Sequence, residues 1–358
     1  MASTWPTEIN LLRDLVAIPS VSGTETAAGE FVEATAKSWG LDVVRNEDGV
    51  RIEVAGRRPG RSLAFISHLD VVPPGEGWSR DPWNPVIENG LLYGRGSGDA
   101  KASVAAMLTA ALDLSQNVEK LTGRVVVILG YGEETRDTSM VRAVPAAGRL
   151  DAAVIGEPTN LQAAVAQRGL MMAELVARGD QRHAGYAAQD GGFVNAITIL
   201  ARELIKLDGL VAERVHPILG VTTVTPTIVE AGVSRNVTPP VAKAVLDIRS
   251  TPVWPHDELA EALRRRLDCE VVITSERLVP CETPAESELL AAARRLQPTI
   301  DCYGSPTCSD WVFVRHLDAF KCGPGTSRRS HTADEAVDLS EVVAARAFYA
   351  DLAREYLR

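Results

Sequence analysis

The residues best suited to chemistry in this chain are a histidine and several acids that follow apolar, strand-like runs. The segment Ser62–Asp70 is such a run, and it ends in His68-Leu69-Asp70. Residues two apart on an extended chain point to the same side, so the Asp70 carboxylate is placed to orient the His68 imidazole as a metal ligand. A buried structural histidine is the alternative when His68 is considered alone.

Acidic residues also follow two further strand-like runs, at residues 124–130 and 152–155. The acids concerned are Glu133, Glu134 and Glu157, and Asp99 stands between a glycine-rich turn and a predicted helix. A single acid after a strand is usually solvated. Three strand ends with histidine or acidic side chains, together with Asp99, indicate one shared site where open α/β sheets place their chemistry.

A second histidine, His331, lies in the loop 330–335 before the last predicted helix. Two imidazoles and several carboxylates without a thiolate form a donor set that suits Zn²⁺, with Co²⁺ or Mn²⁺ as substitutes. The carboxylates are too many for one tetrahedral zinc ion, and they fit two metal ions that share a bridging carboxylate. Without cations, such closely placed carboxylates would raise each other's pKa and resist ionisation.

The doublet Glu133-Glu134 predicts a division of roles. Adjacent side chains point in different directions, so one can bind metal while the other takes a proton from the reacting water and returns it to a leaving amine. The alternative is a pair of solvated glutamates at the start of the next helix, where acids favour the helix dipole. The acids at the other strand ends favour the catalytic interpretation.

The glycine-rich turn at residues 94–99 does not predict phosphate binding. It lacks G-K-[ST] and the spacing G-x-G-x-x-G, and Asp99 would repel an anion. We expect its glycines to let the backbone approach whatever Asp99 binds.

The hydrophobic pattern predicts an α/β fold in two domains. Helices are expected at residues 8–17, 25–39, 100–114, 137–147, 285–296 and 339–357. Strands are expected at 41–46, 50–55, 62–67, 124–130, 152–155 and near 300 and 319, with loop at 71–98. From residue 168 the predicted order becomes strand 170–177, helix 192–207, strands 221–231 and 241–249, helix 256–267 and strand 270–274. This β-α-β-β-α-β order is that of a ferredoxin-like unit. The predicted domains are therefore a catalytic domain at 1–166 and 276–358, and an inserted domain at 167–275.

Composition excludes several classes of function. The net charge of -10, from 37 basic and 47 acidic residues, disfavours a nucleic-acid or anionic membrane surface. No apolar run reaches the roughly 18 residues that a membrane-spanning helix needs, and the N-terminus does not resemble a secretory signal. The 5 cysteines include no C-x-x-C pair, which argues against a disulfide framework and a zinc–thiolate site. We therefore expect a cytoplasmic protein.

The motifs SHLDVVPPGEGW, YGRGSGDAKASVAAML, GYGEET, GEPT and SHTADE occur in this order over nearly the whole chain. Together they resemble the co-catalytic zinc aminoacylases and exopeptidases. That family includes acetylornithine and acetyl-lysine deacetylases, succinyl-diaminopimelate desuccinylase, aminoacylases, carboxypeptidases and dipeptidases. The resemblance implies a zinc-dependent exopeptidase-like catalytic domain with an inserted ferredoxin-like lid that forms homodimers.

The resemblance also implies a role for each matching residue. His68 and Glu157 would bind one Zn²⁺, Glu134 and His331 the other, and Asp99 would bridge both. Asp70 would orient His68, and Glu133 would be the general base.

Four segments outside the metal motifs resemble substrate-binding parts of the family. His183, in the segment 180–185, would reach the active site of the partner subunit and stabilise the oxyanion, although Asp180-Gln181-Arg182 departs from the small residues usual before this histidine. Asn236 and Arg249 would bind the substrate carboxylate, with a surface arginine as the alternative for Arg249. Gly323 and Gly325 would form a substrate-pocket turn, and Ser309-Asp310 would lie near it.

The motifs favour an amidohydrolase that removes an N-acyl group, most of all acetyl, from an amino acid, as acetylornithine deacetylase does in arginine biosynthesis. Acetyl-lysine deacetylase and succinyl-diaminopimelate desuccinylase, both of lysine biosynthesis, are close alternatives. Arg328 and Arg329 could meet a second carboxylate such as that of a succinyl group, or could be exposed charge. A dipeptidase or carboxypeptidase on the same scaffold, and a non-catalytic metal-binding relative, are the further alternatives.

Overall fold

The computed structural model describes residues 5–135, 139–186 and 193–358. Its α-helices are α1 (Thr7–Val16), α2 (Thr26–Ser38), α3 (Lys101–Ser115), α4 (Ser139–Ala146), α5 (Ala196–Ile205), α6 (His256–Arg266), α7 (Glu288–Leu296) and α8 (Leu339–Tyr356). Its strands are β1 (Asp42–Asn46), β2 (Gly49–Ala55), β3 (Arg58–His68), β4 (Val86–Glu88), β5 (Leu91–Tyr93), β6 (Thr122–Gly130), β7 (Ala152–Ile155), β8 (Ala163–Gln167), β9 (Gly169–Arg178), β10 (Val215–His216), β11 (Gly220–Val221), β12 (Thr223–Ala231), β13 (Val241–Ser250), β14 (Glu270–Leu278), β15 (Cys281–Glu282), β16 (Cys302–Ser305), β17 (Asp318–Lys321) and β18 (Ala336–Asp338).

The chain divides into two compact units. Unit 1 comprises Met1–Val165, Thr283–Tyr303 and Ser309–Arg358, and unit 2 comprises Ala166–Glu282 and Gly304–Cys308. The expected insert at 167–275 has a different C-terminal limit, because β14 does not end at residue 274. Its pairing with β9 continues to the pair Leu278 and Leu170.

Unit 1 contains a sheet in the order β1-β2-β6-β3-β7-β17-β8. The neighbours β6, β3, β7 and β17 are parallel, so their carboxyl ends lie along one edge of the sheet. Within this register His68 pairs with Gly130, and Lys321 pairs with Ile155. The segments that follow β3, β6, β7 and β17 therefore start side by side.

Helix α3 begins two residues after Asp99 and is buried along nearly its whole length. A helix that is apolar on all sides belongs inside a core. It packs against α1 and α8, and with the sheet they form the hydrophobic core of unit 1.

The sequence predicted loop at residues 71–98, but the structure contains strands in this segment. These are β4 and β5, which form a three-stranded sheet with β18. Local composition did not indicate these short strands because β5 pairs with a strand more than 240 residues away, Ala336 opposite Tyr93. Strand β8 was also not predicted.

Unit 2 has the predicted β-α-β-β-α-β order, formed by β9, α5, β12, β13, α6 and β14. Its sheet runs β12-β13-β9-β14 with antiparallel neighbours. The helices and the sheet share a second apolar core. The predicted helices at 137–147 and 192–207 begin in segments outside the described residues. Nowhere in the described ranges is there a helix long and apolar enough to span a bilayer.

Candidate metal centre and active site

His68 and Asp99 lie at the centre of the site, and both are buried. Nε2 of His68 lies 3.4 Å from Oδ1 of Asp99 and 4.0 Å from Oε1 of Glu157. Glu157 follows β7, the strand next to β3. The ends of two adjacent strands and Asp99, two residues before α3, thus form one half of the cluster.

His331 and Glu134 form the other half. Nε2 of His331 lies 2.9 Å from Oε1 of Glu134 and 3.5 Å from Oδ2 of Asp99. Asp99 therefore presents one carboxylate oxygen to each histidine. The His331 side chain is 50% exposed, so this half of the cluster is open to solvent.

The donor set fits divalent cations. Ligand atoms of His68, Asp99 and Glu134 all lie within 4.8 Å of one another. Two imidazoles, each near a different oxygen of one carboxylate and each with a further carboxylate beside it, match the N and O ligands of a two-metal site. The geometry thus brings together all five residues that the sequence assigned to metal: His68, Asp99, Glu134, Glu157 and His331.

Two members of the cluster, His68 and Glu157, have raised pKa values when no cation is bound. Burial opposes the charged form of His68, but hydrogen bonds with Asp70 and Asp99 outweigh it and raise the pKa of His68 well above its usual range. Burial and the charge of Asp99 raise the pKa of Glu157 to about 7. Both shifts describe a compact group of charges that cations would stabilise.

Asp70 is fully buried and holds more than the His68 ring. Its two carboxylate oxygens accept the backbone N–H groups of Glu133 and Glu134, each at 3.0 Å. The Ser22 hydroxyl donates to the same carboxylate at 2.7 Å. Nδ1 of His68 lies 3.0 Å from the Asp70 carbonyl oxygen and 3.4 Å from Oδ1.

Asp70 remains ionised at neutral pH. Burial opposes the charge, but the hydrogen bonds with His68 and Ser22 lower the pKa of Asp70 to about 2. The ionised carboxylate can accept from all of these donors at once, which a neutral amide could not.

Glu133 has the properties of a proton carrier. Burial raises its pKa well above the usual range, and the charges of Glu157 and Asp310 act in the same direction, while His68 opposes them. A carboxyl group whose pKa is shifted towards neutral pH is suited to general acid–base catalysis. Asp310 is itself buried, at the start of a short 3₁₀ turn.

Two residues near the site received no role from the sequence. Ser22 comes from the loop between α1 and α2 and reaches Asp70. Glu335 is buried and accepts the backbone N–H of Asp99 at 3.0 Å. The sequence signal for Glu335 was its place at the end of the SHTADE motif, four residues after His331, whereas nothing in the sequence pointed to Ser22.

His183 and Asn236 lie next to each other in unit 2. The backbone of His183 forms a β-bridge with Val237, and the N–H of Ala184 donates to the Asn236 carbonyl oxygen at 2.8 Å. Nδ1 of His183 accepts the N–H of Gly185 at 3.1 Å, which leaves Nε2 to carry the proton of the neutral ring. The His183 side chain is exposed.

The other predicted substrate residues already have partners. Arg249, on β13 of unit 2, forms two bonds to Asp247 at 2.8 and 3.0 Å. In unit 1, the N–H of Gly323 donates to the Thr159 hydroxyl at 3.0 Å, and that of Gly325 donates to Glu341 at 2.6 Å. Both glycine N–H groups are thus engaged in holding the turn, which follows β17. A Cβ at Gly323 would lie 2.6 Å from the Glu157 carbonyl oxygen.

The sequence matches the peptidase family M20/M25/M40 over residues 64–355. This match covers well over half of the chain and includes every residue of the metal cluster. The chain belongs to this family.

Two relatives with different activities are similar to this M20 family member over most of its length. A succinyl-diaminopimelate desuccinylase of Methylocella silvestris is 27% identical over 394 residues, which cover 100% of both proteins. A probable carboxypeptidase of Aspergillus flavus is 29% identical over 365 residues, which cover 92% of this chain and 84% of the relative.

A solved structure shares the fold. The YXEP protein of Bacillus subtilis, described as a dinuclear metal-binding peptidase of the M20 family, has a TM-score of 0.77 at 18% identity, with 98% of this chain and 97% of the other covered. The predicted fold, a zinc-exopeptidase-like α/β domain with an inserted ferredoxin-like unit, is confirmed. As a member of the M20 family, the chain is a metal-dependent hydrolase of amide bonds.

Proposed function

We propose that this chain removes an N-acyl group from an amino acid with the help of two divalent metal ions, and that the preferred acyl group is succinyl. The observation that carries the proposal is Asp99, whose Oδ1 lies 3.4 Å from Nε2 of His68 and whose Oδ2 lies 3.5 Å from Nε2 of His331. A bridging carboxylate between two imidazoles is the arrangement that a two-metal hydrolase needs.

The proposed ligands are those of the two half-clusters. His68 and Glu157 would hold one ion, Glu134 and His331 the other, and Asp99 would contact both. Zn²⁺ suits this donor set, and Co²⁺ or Mn²⁺ could replace it. When bound, the ions would lower the pKa of water and polarise the amide carbonyl.

The side chains of this chain would then perform the proton transfers. The Glu133 carboxylate would accept a proton from the attacking water and return it to the nitrogen of the leaving amine. Asp70 would keep Glu133 in place through the backbone bond at 3.0 Å. The Nε2–H of the partner subunit's His183 would donate to the carbonyl oxygen as negative charge develops on it.

For the substrate carboxylate we propose Asn236 and Arg249. The turn formed by Gly323 and Gly325 is proposed separately as a substrate-pocket turn. Arg249 is held by Asp247, so a substrate carboxylate would compete with that pair for the guanidinium. A guanidinium fork binds a carboxylate through two parallel bonds, which supports this role.

Two observations favour a succinyl group over an acetyl group. The chain is similar to succinyl-diaminopimelate desuccinylases, and two arginines lie close in sequence to the proposed ligand His331. Arg328 and Arg329 are exposed and precede His331 by three and two residues. They supply positive charge that a second carboxylate would need. N-acetylornithine, which the motifs favoured, is the second substrate to be tested.

A panel of amide substrates tests the proposal. The purified protein would be loaded with Zn²⁺ and assayed with N-succinyl-diaminopimelate, N-acetylornithine, N-acetyl-lysine, N-acetylcitrulline and simple dipeptides. Succinyl-diaminopimelate is expected to have the highest kcat/KM, and Arg328→Ala with Arg329→Ala is expected to raise KM for it but not for acetyl substrates. Preference for dipeptides would instead support an exopeptidase, which similarity to the carboxypeptidase of Aspergillus flavus makes the second candidate.

The proposal includes a homodimer through unit 2. Strand β12 is an edge of its sheet, and it exposes apolar side chains on both faces, with Ile228 52% and Val229 57% exposed. Helix α5 adds Ile205, which is 72% exposed. An apolar, unpaired edge is a template for pairing with a second copy of the same strand.

A further inference from the structure

The glycine-rich turn at residues 94–99 surrounds the carboxylate of Glu335. Four donors converge on the two carboxylate oxygens at 2.6 to 3.1 Å: the backbone N–H groups of Gly96, Gly98 and Asp99 and the Arg95 guanidinium. Glu335 and Arg95 are each only 1% exposed. The carboxylate is therefore a fully enclosed acceptor with every donor supplied by one turn.

The glycines make this convergence feasible. Gly94 and Gly96 have φ values of 151° and 81°, which lie in the region that L side chains rarely adopt. A Cβ at Gly96 would come within 2.5 Å of the Val71 side chain. Successive backbone N–H groups that point inward form a cradle for an anion. The turn thus resembles a phosphate cradle whose anion is a carboxylate of the same chain.

Glu335 connects the two halves of the metal cluster, because it is close to His331 in sequence and bonds to Asp99. It lies four residues after His331, and its carboxylate bonds to the backbone of Asp99. Strand pairing fixes this contact, because Ala336 of β18 lies opposite Tyr93 of β5. In addition, the N–H of Gly94 donates to the Glu335 carbonyl oxygen at 3.0 Å.

We propose that Glu335 is the positioning residue for Asp99, and that both metal sites depend on it. The inference rests on the proposed function in one respect, that Asp99 contacts both ions. A displaced Asp99 backbone moves both carboxylate oxygens, so loss of the Glu335 bonds weakens binding at both sites. Mutation of a group that hydrogen-bonds to a metal ligand typically lowers metal affinity about 10–100-fold.

The test compares Glu335→Gln with a matched control, Glu8→Gln. Glu8 is also 1% exposed and is paired with an arginine, Arg346, at 2.8 Å. In Glu335→Gln one oxygen becomes an NH₂ group that faces N–H donors, so the cradle loses an acceptor. We expect Zn²⁺ affinity at both sites to fall about 10–100-fold in Glu335→Gln. The absorption bands of the Co²⁺-loaded protein should also shift, because the ligand geometry changes.

Glu8→Gln is expected to lower the unfolding midpoint. Its Zn²⁺ affinity and its Co²⁺ absorption bands should be the same as those of the wild type. Wild-type affinity and bands in Glu335→Gln, whatever its unfolding midpoint, would overturn the inference. If Glu335→Gln does not fold, Glu335→Asp serves instead, since it keeps the charge and is one methylene shorter. It should show the same weakening of Zn²⁺ binding, and unchanged binding would again overturn the inference.

The same titrations separate this inference from the proposed function. Asp99→Asn should bind fewer Zn²⁺ ions than the wild type if Asp99 bridges. If Asp99→Asn binds as the wild type does, the bridging role and with it the present inference both fail. If Asp99→Asn loses metal while Glu335→Gln keeps it, only the role of Glu335 fails.

Discussion

The Asp70 carboxylate accepts the backbone N–H of Glu133 at 3.0 Å. The same side chain lies 3.4 Å from Nδ1 of His68. A single buried carboxylate at the end of β3 therefore sets the position of a proposed metal ligand and of the proposed base. Asp70 therefore contacts residues that come from two different strand ends.

Asp70→Asn is expected to lower both metal affinity and kcat, each about 10–100-fold. An asparagine offers one acceptor oxygen, so its NH₂ group would face one of the two backbone N–H groups that the carboxylate now accepts. Metal titration and steady-state kinetics of the variant check this. Ser22→Ala is the milder control, because it removes one donor and leaves both backbone bonds. Wild-type kinetics in Asp70→Asn would contradict the positioning role.

Glu133→Gln is expected to lower kcat about 10²–10⁴-fold, the usual contribution of a general acid–base group. The metal content should stay at the wild-type level, since Glu133 is not a proposed ligand. Elemental analysis beside the kinetic assay separates the two effects. Its neighbour provides the matched control: Glu134→Gln should lose metal, because Oε1 of Glu134 lies 2.9 Å from His331. Wild-type turnover in Glu133→Gln would rule out this residue as the base.

Metal binding is expected to release protons near neutral pH. The pKa of His68 is raised well above its usual range and that of Glu157 is about 7 in the metal-free protein, so both carry protons that a cation must displace. Affinity for Zn²⁺ should therefore fall as the pH drops below 7 and rise as these groups lose their protons above it. Calorimetric titration in two buffers of different ionisation enthalpy measures the number released. Equal heats in the two buffers would contradict the prediction.

His183→Ala is expected to lower kcat about 10²–10³-fold, as loss of one oxyanion donor usually does. Metal affinity and the unfolding midpoint should change little, because the side chain is exposed and lies in unit 2. The measurement is kcat together with a zinc titration. His183→Gln, which keeps a donor, should recover part of the loss. An unchanged kcat in His183→Ala would remove this residue from the mechanism.

Val229→Lys is expected to convert a dimer to a monomer, because a lysine on an edge strand opposes pairing with a second strand. Val272→Lys on β14 is the matched control, since β14 is the opposite edge of the same sheet and Val272 is 39% exposed. Sedimentation velocity measures both. Dissociation in Val272→Lys alone would assign the interface to the other edge, and a monomeric wild type would contradict the homodimer.

The predictable part of the site followed from strand patterns. Strands β3, β6 and β7 are continuous apolar runs, as buried parallel strands are, and the acids after them were visible in the sequence. Parallel neighbours end on the same edge, so the proximity of His68 to Glu157 could be expected. Asp99 and His331 lie outside these strands, and their residue types made them candidates to which the family motifs then gave a role.

The hydrogen bonds that hold these residues could not be read from local sequence. Ser22 and Asp70 are separated by 48 residues, and Glu335 and Asp99 by 236. The N–H groups of the turn at residues 94–99 bond to Glu335, a contact that the sequence did not predict. The pair formed by Arg249 with Asp247 is local, yet it depends on side-chain rotamers that a strand pattern does not specify.

The sequence alone determined the family, the main helices and parallel strands of unit 1, the β-α-β-β-α-β order of unit 2 and the identity of the candidate metal ligands, because these depend on residue type and on short spacings. Tertiary structure alone decided that Asp99 faces both histidines, that Asp70 holds the backbone of Glu133, and that Glu335 occupies the glycine-rich turn. These relationships arise where strands distant in sequence pair in register. Their energies are those of hydrogen bonds and charges at about 3 Å, distances that only the packed chain defines.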